Sequence, residues 1–231
     1  RFLCWPAADC CCFWQAGENG GTMNSINHNH RQKPGTWLMR IGLLLLAAAL
    51  LLTGYNLWDE MRANTVTQRT LAQMPQTIPA QSNIDEPVIP DYILNPDMEM
   101  PTVEIEGNNY IGTLEIPAFK LSLPVISQWS YPRLRLAPCR YTGSAYQGNL
   151  VIAAHNYRAH FGPLKNLYAG DRITFTDADG NLFTYNVVEI QVLEPTAIED
   201  MTAGDWDLTL FTCTPGGQTR LTVRCEAIET P

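Results

Sequence analysis

One run of this 231-residue chain limits its folding more than any other: Ile41 to Trp58, 18 residues without a charge. As a helix rising about 1.5 Å per residue, it spans about 27 Å, most of a hydrocarbon core of roughly 30 Å. Arg40 can snorkel at one end, and Trp37, Tyr55 and Trp58 suit the interfaces. Arg31, Lys33 and Arg40 precede the run, and Asp59 and Glu60 follow it. The positive-inside rule therefore puts the N-terminal side in the cytoplasm and the rest outside. A cleaved signal peptide is the competing reading, but no small-x-small site follows Leu52. The expectation is an uncleaved anchor over residues 41–58.

The anchor divides the chain. Residues 1–22 carry Cys4, Cys10, Cys11 and Cys12 among Trp and Phe, and read as an extension ahead of a true start at Met23. A metal-binding tail is the alternative, but the run has no Cys-x-x-Cys pair. Residues 23–40 form a polar leader. Residues 59–107 contain nine acidic and two basic residues, and Pro75, Pro79, Pro87, Pro90, Pro96 and Pro101 forbid a long helix over residues 75–101. That stretch reads as a solvated stalk with at most a short helix over Met61–Met74. The net charge of −8 comes without a basic stripe, which excludes nucleic acid as a partner.

Residues 108–231 alternate short strand patterns with turns. Strands are expected over Tyr110–Ile116, Leu123–Ser127, Asn149–Ala154, Arg172–Thr176, Leu182–Leu193, Asp207–Thr212 and Arg220–Ala227, with short helices over Pro163–Tyr168 and Ala197–Thr202. Many short strands and little helix predict a mostly β barrel or sandwich. Of the seven cysteines only Cys139, Cys213 and Cys225 fall here, an odd number that leaves at least one thiol free. Cys139 and Cys225 are read as unpaired.

Chemistry concentrates at strand ends. Thr209-Leu210-Phe211-Thr212-Cys213 ends one strand, Pro215-Gly216-Gly217 turns, and Arg220 opens the next. His155 ends the apolar strand from Asn149. A thiol, an imidazole and a guanidinium at separate strand ends form an acyl-transfer constellation. A non-catalytic barrel with a buried Cys213 is the alternative. His160, in Tyr157-Arg158-Ala159-His160, reads as loop surface, and His28 and His30 precede the anchor. Arg224 rivals Arg220 because both share parity on one strand. Asp177, Asp179, Asn181 and Glu189 lack the full EF-hand pattern and read as a hairpin turn; no metal or other cofactor is expected.

At these residues the chain resembles the sortases, bacterial cell-surface cysteine transpeptidases. Their Thr-Leu-x-Thr-Cys signature stands as Thr209 to Cys213, and the likeness runs from about Tyr110 to Glu226. The residue before the histidine, usually Gly, is Ala154 here. The resemblance implies a closed barrel of about eight strands after one transmembrane helix. It implies Cys213 as nucleophile, His155 as acid and base, and Arg220 at the oxyanion. The implied substrate is a Leu-Pro-x-Thr-Gly-like sorting signal, and the implied acceptor is an amine of a peptidoglycan precursor or a pilin lysine. Hydrolysis by the same triad is the enzymatic alternative. Some pilus-building sortases carry an Asp-Pro-aromatic lid; Leu94 to Pro101 lacks it, which leans toward a general or class D-like role.

Overall fold

The computed structural model describes residues 35–77, 90–203 and 205–228; the expected extension and leader, residues 1–34, lie outside them. Two compact units divide at Leu46. The described part of the first is helical, the start of α1 (Gly35–Thr77). Leu43–Leu46 and Leu50–Leu52 are all exposed, so no described part of the protein covers the apolar run. It is one helix long and apolar enough to cross a membrane.

In the second unit α1 does not give way to a stalk at Asp59; it continues to Thr77. Ala63, Thr67, Thr70 and Met74 are buried, spaced four, three and four apart, which is one helix face. Met74 joins Ile105, Tyr110, Ile126, Ala137 and Cys139 in a cluster on the outside of the barrel, and its sulfur accepts a hydrogen bond from Thr113 Oγ1 at 3.0 Å. The reading of 59–107 as a solvated stalk is therefore corrected for residues 59–77. The physical reason is that the docking stripe is small and polar, while the first proline comes only at Pro75. A four-residue helix, α2 (Asp91–Leu94), also falls in the expected stalk, as does the strand β1 (Val103–Ile105).

The remaining strands are β2 (Asn108–Ile116), β3 (Leu121–Ile126), β4 (Cys139–Thr142), β5 (Leu150–Ala154), β6 (Arg172–Asp177), β7 (Leu182–Leu193), β8 (Leu208–Cys213) and β9 (Arg220–Ala227). Short helices α3 (Tyr131–Leu134) and α4 (Ile198–Thr202) interrupt them. The order β2-β3-β4-β5-β8-β9-β7-β6 returns to β2, closing an eight-stranded barrel with β1 added outside the ring. Closure occurs where β2 crosses β6, and Gly112 is required there. Its φ is +153°, and a Cβ would run into the Thr176 carbonyl. Even-numbered residues of β5 and β8 (Leu150, Ile152, Ala154; Leu208, Leu210) and Val223 and Cys225 of β9 fill the interior. The odd-numbered residues of β5 and β8 and the even-numbered residues of β9 therefore face outward. Cys139, Cys213 and Cys225 are all free thiols.

Candidate active site

Three neighbouring strands build the outward face. β5 and β8 run parallel, with Ala154 beside Thr212 and Ala153 beside Phe211. β8 and β9 run antiparallel, with Cys213 opposite Arg220, Phe211 opposite Thr222 and Thr209 opposite Arg224. His155 follows Ala154 directly, so His155, Cys213 and Arg220 form one row across the strand ends. Behind it lie a second row, Ala153-Phe211-Thr222, and a third, Val151-Thr209-Arg224. All three members of the first row are half-buried. Thr212 ties β8 to β5, its buried hydroxyl donating to the Ala154 carbonyl at 2.8 Å.

The hairpin after Cys213 is closed by polar contacts. Thr214 N donates to Thr219 O at 3.1 Å, and the two threonine hydroxyls lie 2.7 Å apart. Arg220 Nη1 donates to the carbonyls of Gly217 and Thr219, each at 3.0 Å. These bonds hold the guanidinium at the turn while its other donors stay available.

His155 stacks on Tyr157, with ring centroids 4.9 Å apart. Tyr157 in turn donates its hydroxyl to Asp59 of α1 at 2.5 Å, and Arg158 N donates to Glu60 at 2.9 Å. The docked helix thus braces the loop that carries the histidine. Burial lowers the His155 pKa below its ordinary value, Arg135 lowers it further, and Asp59 opposes both. The Tyr157 phenol is pushed up to about 12, chiefly by burial and then by its bond to Asp59. Sequence reasoning missed this brace, because Asp59 and Tyr157 are far apart in the chain.

His160 is corrected. It is fully buried rather than on a loop surface, with neither ring nitrogen in a well-formed hydrogen bond, and its ring lies 5.4 Å from that of Tyr157. Burial, with His155 nearby, pushes its pKa down to about 4, so it is neutral. The reason is packing: Phe161 and Leu164 carry the following turn into the core and take His160 with them. Arg224 is also buried, two rows away from Cys213. Asp177 accepts from Tyr146 Oη at 2.7 Å and from the backbone amides of Asp179 and Asn181, so its carboxylate is engaged within the turn. Among the described residues, no group of three His, Cys, Asp or Glu side chains could hold a metal.

An aromatic ladder runs off the second row: Phe211 meets Tyr141 edge-on at 5.3 Å, and Tyr141 stacks on Trp129 at 5.4 Å. The shared parity of Phe211 and Cys213 was the only sequence signal for it. Trp129 and Tyr141 of the ladder also line a cavity of about 520 Å³, together with Asp97, Glu99, Arg140 and Gln147, which holds none of the first-row residues. The Leu94–Pro101 stretch is pinned there by buried Met100 and by a Gln147–Asp97 hydrogen bond of 3.0 Å.

Residues 114–228 match the family model described as "Sortase domain". The chain is 26% identical over 186 residues to Sortase D of Bacillus subtilis (strain 168), covering 76% of this chain and 88% of that protein. It is 26% identical over 182 residues to Sortase A of Bacillus anthracis, covering 75% and 85%. The fold is similar to that of a Clostridium perfringens Sortase D5 transpeptidase, with a TM-score of 0.51, 20% identity and coverage of 73% of this chain and 99% of that one.

Proposed function

Because the chain belongs to the sortase family of cysteine transpeptidases, we propose that it cleaves a Leu-Pro-x-Thr-Gly-like sorting signal through a thioacyl-enzyme on Cys213. The acyl group then passes to an amine of a peptidoglycan precursor or a pilin lysine. The observation that carries this reading is the single row His155-Cys213-Arg220 across β5, β8 and β9.

Each member has a role that fits its setting. A histidine held below its ordinary pKa is neutral at physiological pH and can take the Cys213 proton. The thiolate sulfur attacks the threonine carbonyl carbon, and the oxyanion that develops faces the Arg220 guanidinium. A fixed cation aimed at that charge is a large catalytic contribution. The C–N bond breaks, and His155 protonates the leaving amine. In the second half an incoming amine gives its proton to His155, attacks the thioester carbon and displaces the Cys213 thiolate. His155 then returns that proton to the thiolate, and the enzyme regains its starting state with one amide bond broken and one formed.

The apolar start of α1 supports anchorage through residues 41–58. We read the N-terminal side as cytoplasmic and the barrel as extracellular, from the basic residues before the run and the acidic pair after it.

The test is intact-protein mass spectrometry of the full chain in detergent, incubated with a pool of Leu-Pro-x-Thr-Gly-like peptides beside Cys213→Ala. The expected result is an acyl adduct on the wild type alone, released as a new amide when an amine is added. Release only as the free acid would make the enzyme a hydrolase. A Cys213 inert to both peptides and alkylating agents would overturn the enzymatic reading of the row.

A further inference from the structure

We propose that the pocket between α1 and α3 takes the phosphate of an anionic phospholipid headgroup and so seats the His155 end of the barrel on the bilayer. The proposal rests on the reading that residues 41–58 span a membrane.

The depth of the pocket follows from α1. Trp58 is the last residue of the apolar run, and Arg62 lies one turn further along the helix; both belong to the same compact unit as the barrel. At about 1.5 Å per residue Arg62 stands about 6 Å past the hydrocarbon edge, within an interfacial layer of roughly 5–7 Å on each side. Helical side chains lean toward the N-terminus, and the Arg62 guanidinium lies 5.9 Å from the centre of the Trp58 ring, turned back toward that edge. The bonds from Tyr157 to Asp59 and from Arg158 to Glu60 hold the loop after His155 at the same depth.

A cavity of about 420 Å³ opens at this level. Its walls are Arg62 of α1, Tyr131 and Pro132 of α3, and Arg135 and Leu136 just after α3. Two guanidinium groups line it and no carboxylate does. Among the described residues, neither arginine side chain donates a hydrogen bond or joins an ion pair. Asp59 and Glu60, the carboxylates of α1 nearest in sequence, already accept from the Tyr157 hydroxyl and the Arg158 amide. A pair of guanidinium groups without partners suits a phosphate, whose oxygens match the planar fork. Tyr131, Pro132 and Leu136 give the same cavity an apolar wall, and Tyr131 is 76% exposed. Cations beside an apolar wall, at the membrane interface, match an amphiphile better than a soluble anion. The whole chain carries a net charge of −8, so an anionic surface attracts it only through cations placed locally at that depth.

The pocket adjoins the first row. Arg135 lies close enough to His155 and Tyr157 to act on the charge of both. A headgroup held between Arg62 and Arg135 therefore fixes α3, and the His155 side of the row with it, against the bilayer surface.

The experiment uses the full chain in nanodiscs of phosphatidylcholine, alone or mixed in equal parts with phosphatidylglycerol, so that no lipid-linked pyrophosphate is present. Amide exchange over residues 133–137 should be about tenfold slower in the anionic nanodiscs. Native mass spectrometry of the ejected protein should show phosphatidylglycerol retained in excess of its share of the bilayer. Arg62→Gln and Arg135→Gln should each abolish both effects. Arg158→Gln removes the same charge at the same depth but outside the pocket, and should keep them. Loss of the effects in all three variants alike, or in none, would overturn the proposal and leave only general attraction to a charged surface. Protection by inorganic phosphate in phosphatidylcholine nanodiscs would overturn it as well, because the pocket would then serve a soluble anion. Residues 41–58 exchanging as freely as an unprotected peptide would sink the anchoring reading and the proposal with it. Protection of 41–58 without a lipid-dependent response over 133–137 would sink the proposal alone.

Discussion

Replacing Met74 with alanine tests whether α1 is docked on the barrel. Met74 is 3% exposed and sits among Ile105, Tyr110, Ile126, Ala137 and Cys139. Truncating a buried methionine to alanine costs about 2–5 kcal/mol, combining lost burial with the cavity left behind. The Thr113 hydroxyl also loses its sulfur acceptor, a weak bond that adds little. We take about 2–4 kcal/mol, because a helix lying on the outside of a barrel can partly settle into the gap. That loss falls on the docking of the helix rather than on the barrel ring. Hydrogen–deuterium exchange of the full chain in detergent should therefore accelerate over residues 61–73 by about 30- to 700-fold, at roughly tenfold per 1.4 kcal/mol. Exchange over β6 and β7 should change little. Equal acceleration everywhere would show that the helix and the barrel unfold as one unit. No acceleration, with wild-type exchange over 61–73 already as fast as in a free helix, would refute the docked stripe.

Other expectations follow from single contacts. Thr212→Val keeps the volume but removes the bond to the Ala154 carbonyl; it should lower stability by about 1 kcal/mol in denaturant titration and slow acylation by loosening the His155–Cys213 pairing. Arg220→Lys should cut kcat by about 10²–10³ while Cys213 still alkylates; an unchanged kcat would remove Arg220 from the oxyanion. The activity limb on the acid side should follow His155, falling as pH drops through its lowered pKa. Arg135→Gln should move that pKa up and Asp59→Asn should move it down, read from the His155 ring protons by NMR; shifts of the same sign would contradict the arrangement. Among the three barrel thiols, only Cys213 should react with a thiol reagent in the native state. Cys139 and Cys225 are fully buried, and burial pushes each thiol up to about 12.

What could be read from the sequence was whatever local alternation encodes. β7 and β9 have the expected bounds, β5 starts one residue later than expected, and β8 is shifted by one residue at each end. Their apolar residues recur every second position because one face fills a barrel. β1 escaped because three residues carry too little pattern. β4 escaped because its register shifts between Arg140 and Thr142, which breaks the alternation. The helix docking was invisible for a different reason: Thr67 and Thr70 look solvent-facing until Tyr110 and its neighbours are brought against them. The first row of the site was legible because each residue ends or opens a strand. The parity that made Arg224 a rival to Arg220 was visible too, but its α4 acceptors lie more than twenty residues upstream, and only the fold brings them within reach.

The parallel pairing of β5 with β8 has a further consequence, for the timing of reactivity. Ala154 and Thr212 are separated by 58 positions, and β6, β7 and α4 lie between them in the chain. Contacts of such separation form late, because the intervening chain must be ordered before they can close. Under the proposed mechanism, a nascent or truncated chain that has made Cys213 but not yet seated β8 beside β5 holds a thiol with no base beside it. On that reading, nucleophilic power arrives with closure of the ring.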